Sequence, residues 1–141
     1  MHYAMQNYTE TFKLFENDIV TIADKDNYDV QELLMTSKFM ITDYSSVHFD
    51  FAYMNKPLLY YQFDEEQFRA SHYAEGYFSY ENDGFGPCFD NFDDVKQYVF
   101  DIIDADCSQH EKYDRRVKGF FDLRDDHNCE RTYNALKELE I

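Results

Sequence analysis

The chain has 141 residues, one domain or a large piece of one at the usual ~150 residues per domain. Hydrophobic residues make up 44% and aromatics 19%, too apolar for a disordered tail, and no uncharged apolar run reaches the ~18 residues that cross a bilayer. Lys and Arg number 13 against 29 Asp and Glu, a net charge of −16. That is the reverse of the basic face that neutralises nucleic-acid phosphates, so no nucleic-acid partner is expected.

The N-terminus lacks a basic patch followed by an apolar stretch, so no secretory signal is read and an intracellular protein is expected. A helix is expected from about Gln6 to Phe15. Ile19-Val20-Thr21-Ile22 is a β-branched run that reads as a buried strand. Asp29-Val30-Gln31-Glu32 has capping-box spacing and predicts a short helix through Met35. Phe39-Met40-Ile41-Thr42 reads as a second strand, Val47 to Tyr53 as a two-turn helix, and Leu58-Leu59-Tyr60-Tyr61 as a third strand after the Asn55-Lys56-Pro57 turn. Short links between these runs imply parallel strands joined by crossovers.

His72 to Asn91 is rich in Gly, aromatic and acidic residues and reads as a long ordered loop. Val95, Tyr98, Val99, Ile102 and Ile103 then fall at helical spacing, with Asn91 as cap. Two further helices are predicted, Glu111 to Phe121 and Cys129 to Leu139, the latter capped by Asn128. Arg115, Arg116 and Lys118 on the first of them read as a solvated face. The expected architecture is α/β: a Rossmann-like parallel sheet followed by C-terminal helices, alternating β/α over 1–63, a loop region over 64–91 and helices over 92–141. Three parallel strands make a small sheet that needs cover on both faces, so a single, partial domain spanning 1–141 is expected.

Cys88, Cys107 and Cys129 are odd in number and form no C-x-x-C pair, so no structural zinc site is read and reduced thiols are expected. Asp104 to Ser108 starts like a calcium loop, but Gln109 stands where Gly is wanted and Arg115 where Glu is wanted. No metal and no cofactor are expected. Tyr60, Tyr61 and Phe63 read as core residues, with a base-lining role as the other reading.

The stretch Ile41-Thr42-Asp43-Tyr44-Ser45-Ser46-Val47-His48-Phe49-Asp50 carries the chemistry. It is a strand running into small hydroxyl residues that open a helix, and parallel α/β sheets bind ligands beyond the carboxyl ends of their strands. Free N–H groups there favour phosphate, Ser45 and Ser46 add hydroxyl donors, and Asp50 lies one turn on, placed to accept from sugar or glycerol hydroxyls. The same residues also suit a plain helix start, because Ser is a common cap in proteins with no ligand at that point.

Taken together, Tyr28-Asp29-Val30-Gln31-Glu32-Leu33-Leu34, the block Phe39 to Asp50 and Lys56-Pro57-Leu58-Leu59 resemble the CDP-glycerol glycerophosphotransferase family, the polymerases and primases of teichoic-acid synthesis. Gly86-Pro87 resembles the family's later Pro-Gly-Pro, and Glu130-Arg131 its C-terminal helix. The resemblance implies a glycosyltransferase-B type enzyme of two Rossmann-like halves, this chain being most of the C-terminal, nucleotide-donor-binding half. The implied reaction moves glycerol phosphate from CDP-glycerol, or ribitol phosphate from CDP-ribitol, to a polyol-phosphate or lipid-linked acceptor and releases CMP. Ser45 and Ser46 would contact the donor phosphates, Asp43 or Asp50 its hydroxyls, and His2, in the family's His-Pro or His-Tyr position, the phosphates of the leaving CMP. The implied setting is the cytoplasmic, inner face of the plasma membrane, with membrane contact through parts outside this chain.

Departures from the pattern bear on activity. Glu75-Gly76 stands where the family often has Arg-Gly, and the family's acceptor-side His lies in the other half, so this chain alone is not expected to turn over. His48, His72, His110 and His127 show no spacing that replaces it and read as surface or packing residues. The alternatives are a non-catalytic module binding CDP-polyol or CMP, and a flavodoxin- or receiver-like signalling domain.

Overall fold

The computed structural model describes residues 3–71 and 76–139. The chain divides into two compact units, Met1–Ser37 and Lys38–Ile141. His2, His72 and Glu75 lie outside the described residues.

In the first unit a 3₁₀ segment Tyr3–Tyr8 leads into the short helix α1 (Thr9–Lys13), where one longer helix was expected. Helix α2 (Val30–Thr36) starts as its sequence predicts, with the Asp29 carboxylate accepting the Glu32 N–H at 2.9 Å. Ile19 to Ile22 is not a strand. The Asn17 side-chain oxygen takes the N–H groups of both Ile19 and Val20, and the Glu16 carboxylate takes that of Ile22. Local side chains have captured the donors a sheet ladder needs, and Ile19 is left 93% exposed.

The second unit is a mixed α/β layer built on a parallel sheet, the class expected. Its strands are β1 (Met40–Thr42), β2 (Leu58–Tyr61) and β3 (Cys88–Phe89), in that order across the sheet. Met40 pairs with Leu58 and Thr42 with Tyr60, while Tyr60 and Tyr61 pair with Cys88 and Phe89. The third strand is therefore β3, from the glycine- and aromatic-rich stretch read as loop, and not the Ile19 run. The wider 64–91 region expected as loop also forms α4 (Glu65–Ser71) and α5 (Tyr80–Asp83).

Between β1 and β2 runs α3 (Val47–Tyr53). Asn55 ends it in the left-handed region, φ 55°, its N–H donating to the Ala52 carbonyl at 2.7 Å; Asn tolerates that conformation better than most residues. Helix α6 (Phe92–Asp104) packs on β2 and β3 and is capped by the Asn91 side chain, as its sequence predicts. Helix α7 (Glu111–Phe120) buries Tyr113 and Val117. Arg115 and Lys118 pair with Glu111 and Asp114 one turn back. Arg116 instead donates to the carbonyls of Glu81 and Gly84, so it is a tie between elements and not part of a solvated face. Helix α8 (Asn128–Glu138) has His127, not Asn128, at its cap position, with no side-chain capping bond.

The central strand is buried on both faces, Leu58, Leu59 and Tyr60 all being sequestered with Phe51, Ala52 and Phe85, as parallel sheets require. The close approach of the segment before β3 depends on two glycines. A Cβ on Gly86 would sit 1.8 Å from the Leu58 carbonyl oxygen, and one on Gly84 2.0 Å from the Tyr80 carbonyl oxygen. Gly119, inside α7, meets nothing within 4 Å. Gly86→Ala is therefore expected to cost ~3 kcal/mol or more and to lower the thermal midpoint by ~10 °C or more. Gly119→Ala should raise stability by up to ~1 kcal/mol through helix propensity; paired thermal melts check the opposite signs.

Candidate functional site

The site is built around the turn that follows β1. Asp43 is exposed, and its carboxylate accepts the Tyr44 N–H at 2.7 Å. The Asp43 carbonyl accepts from the Gln62 side-chain amide at 3.1 Å. Tyr44 turns inward: its ring stacks on Phe68 of α4 at 3.7 Å between centroids and meets Tyr80 edge-on at 6.0 Å, and its hydroxyl donates to the Asp64 carboxylate at 3.2 Å. Burial, and then the Asp64 charge, raise the Tyr44 phenol well above its ordinary pKa. The tyrosine pins the turn from one side while the glutamine holds its carbonyl from the other.

Ser45 is half-buried and Ser46 exposed at the cap position of α3, with φ −64° and ψ −15° and no side-chain capping bond. Their carbonyls receive the N–H groups of His48 and Phe49 at 3.3 and 3.1 Å. The two serines therefore do not act as caps, the bland role their position suggests. Asp50 is exposed one turn beyond Ser46, on the same side of α3. Asp43, Ser46 and Asp50 are thus each accessible and Ser45 partly so, and His2 is outside the described residues.

Behind the turn sits His48, 1% exposed. Its Nδ1 lies 2.8 Å from the Tyr60 hydroxyl, and the Phe85 N–H donates to that hydroxyl at 3.3 Å. The phenol oxygen accepts from Phe85 and so directs its proton at Nδ1, which makes His48 the neutral tautomer protonated on Nε2. The rings of Phe49, Tyr60, Phe78, Tyr80 and Phe85 surround the imidazole at centroid distances of 4.0 to 5.7 Å. Burial pushes its pKa from 6.5 down to about 4 and raises the Tyr60 phenol. The sequence places His48 as a surface or packing residue; the packing half is right, and its hydrogen bond to Tyr60 lies across the fold, beyond what spacing conveys. Gln62 went unnoticed, although a polar residue two positions after Tyr60 on a buried face was the available signal.

Beside the turn, past the carboxyl end of β2, lies a cleft of about 310 Å³ lined by Gln62, Glu65, Arg69, Tyr80, Glu81 and Asn82, among others. Cys88 borders it, and burial lifts its thiol to about 11, which keeps it protonated and unreactive near neutral pH. Of Tyr60, Tyr61 and Phe63, read as core in the sequence, Tyr60 is buried and Tyr61 half-buried, whereas Phe63 is exposed and rests against Tyr61 at 5.1 Å. Among the described residues no three His, Cys, Asp or Glu side chains converge to hold a metal ion, and no helix is long and apolar enough to cross a membrane.

Over residues 1–138 the chain matches the family described as CDP-glycerol:poly(glycerophosphate) glycerophosphotransferase, and it belongs to that family. It is 38% identical over 125 residues, 89% of its length, to the minor teichoic acid biosynthesis protein GgaB of Bacillus subtilis (strain 168). It is 32% identical over 126 residues, 86% of its length, to the teichoic acid poly(glycerol phosphate) polymerase of Bacillus spizizenii (strain W23). To the teichoic acid poly(ribitol-phosphate) polymerase of the same strain it is 30% identical over 109 residues, 77% of its length. The matched parts make up only 13%, 28% and 16% of these relatives. No solved structure matches the chain significantly. Membership in this family removes the signalling-domain alternative.

The buried imidazole has a consequence for acid stability. Between its ordinary pKa of 6.5 and its folded value of about 4, the unfolded chain binds a proton at His48 that the folded chain refuses, so stability falls as pH drops through that window. Over the whole window the loss comes to roughly 3–4 kcal/mol. Asp24, Asp114 and Asp125, held below the carboxylate range by hydrogen bonds from Asn27, Lys118 and the His127 N–H respectively, titrate below it. Urea unfolding of wild type and His48→Asn across this range should show the wild type losing stability more steeply.

Proposed function

We propose that this chain is the donor-binding part of an enzyme that transfers glycerol phosphate from CDP-glycerol to a polyol-phosphate acceptor in teichoic-acid or related cell-surface polymer synthesis. The observation that carries this reading is family membership over nearly the whole chain. The turn that bears the motif residues, past the carboxyl end of a parallel strand, supports it. In the reaction an acceptor hydroxyl oxygen attacks the phosphorus that bears glycerol, the bond from that phosphorus to the bridging oxygen of CMP breaks, and CMP leaves with the bridging oxygen.

In this reading Ser45 and Ser46, with hydroxyls not spent on capping α3, donate to the diphosphate, and Asp43 and Asp50 accept from the donor's polyol hydroxyls. His2 stabilises charge on the leaving CMP. The poly(ribitol-phosphate) polymerase among the relatives makes CDP-ribitol the second donor to test. The acceptor-side base and the contact with the inner face of the plasma membrane belong to a second, Rossmann-like half of a glycosyltransferase-B type arrangement, so this chain binds without turning over. Glu75, where the family often has arginine, bears on how tightly the phosphates are held.

Thermal melts with CDP-glycerol, CDP-ribitol, CMP and ADP test the reading. A donor present at 100 times its Kd adds about 2.7 kcal/mol, a rise of several degrees. The rise is expected with a CDP-polyol, smaller with CMP and absent with ADP, and Ser45→Ala with Ser46→Ala should remove it. Equal shifts with CDP-polyol and CMP would favour a nucleotide-binding module, and a cooperative melt with no shift would overturn the donor assignment.

A further inference from the structure

Two polar side chains of the sheet reach the same turn. Tyr60 and Gln62 are two residues apart, on one face of the extended chain, and Gln62 continues the pairing of β2 with its N–H on the Phe89 carbonyl at 2.8 Å. Both are buried, Tyr60 at 0% and Gln62 at 6% exposure. Gln62 holds the Asp43 carbonyl at the start of the turn. Tyr60 holds His48 at its end, and the His48 N–H closes on the Ser45 carbonyl. Ser45 and Ser46 lie between the two attachments and make no side-chain cap of their own. Their placement is set from below, by the sheet.

We infer that His48 is a positioning residue for the Ser45-Ser46 turn, acting through the Phe85–Tyr60–His48 hydrogen-bond relay, with Gln62 as its counterpart at Asp43. A leucine or methionine at position 48 would fill the aromatic cage as well as the imidazole does. It would leave the buried Tyr60 hydroxyl without an acceptor and free the first turn of α3 to rotate or slide against β2. The part of the inference that concerns donor affinity rests on the donor-site reading above; the part that concerns the turn does not.

The test uses the full chain as wild type, His48→Asn, His48→Leu, Tyr60→Phe and the Leu/Phe double variant. The Asn side-chain oxygen occupies the place of Nδ1 and keeps the acceptor. The double variant removes the Tyr60–His48 pair at once, which restores part of the stability that His48→Leu loses, the Phe85 N–H being left without its acceptor as in Tyr60→Phe. Hydrogen–deuterium exchange of the ligand-free chain reads the turn directly. Uptake over 43–49 should rise about tenfold in His48→Leu, Tyr60→Phe and the double variant, with α7 unchanged, and stay near wild type in His48→Asn. CDP-glycerol titrations at a temperature where every variant is folded should show Kd weakened about tenfold in the same three and retained in His48→Asn. If protection and affinity recover in the double variant along with the melting temperature, His48 is only a stability element and the inference is overturned. If wild type binds no CDP-glycerol, the donor reading fails, and the exchange result still decides the role of His48.

Discussion

A phenol hydroxyl in the dry middle of a parallel sheet needs a partner for its oxygen and another for its proton, and the architecture around Tyr60 follows from that need. The oxygen is met by the Phe85 N–H and the proton by His48 Nδ1. To bring the first partner in, the segment before β3 must press against β2 so closely that Gly84 and Gly86 have no room for a side chain. To bring the second, α3 must begin with a set register so that its second residue faces the strand. One buried polar group thus ties three segments far apart in sequence.

The aromatic cluster around this relay supplies most of its insulation. Phe49, Phe78, Phe85, Phe120 and Phe121 interlock mainly through edge-to-face and tilted contacts at 5.0 to 5.9 Å, the arrangement ring quadrupoles favour. With no Trp and 14 Phe, the interior is assembled from many medium rings. Arg116 crosses its rim to hold the 81–84 carbonyls, so even the cation that looks like surface charge in the sequence closes the cluster.

Local signals in the sequence are reliable where chain neighbours decide the outcome. The Asp29 and Asn91 caps, the two-turn α3 and the strand Leu58 to Tyr61 are all found where composition and spacing put them. The errors have one physical origin, competition from partners that spacing does not reveal. Asn17 and Glu16 divert the donors of a strongly β-branched run. A two-residue strand at Cys88 exists because Gly86 permits contact with the distant backbone of Leu58. At the candidate site, the motif residues Asp43, Ser45, Ser46 and Asp50 stand out in the sequence because they fall within one eight-residue stretch. The residues that hold them, Gln62, Tyr60 and His48, belong to the core pattern and look like ordinary packing until their polar atoms are located.

The enclosed phenols give the molecule an optical property of its own. All near-ultraviolet signal from ring side chains comes from tyrosine and phenylalanine, since Trp is absent. Of the 13 Tyr, Tyr44 and Tyr60 are fixed in asymmetric surroundings at the turn and in the strand behind it, and burial raises both phenols, with Tyr98 brought up to about 12. Near-ultraviolet circular dichroism therefore includes a contribution from the region that bears the motif. In an alkaline spectrophotometric titration this enclosed set ionises late, so Tyr44 and Tyr60 report on the integrity of the turn without any label.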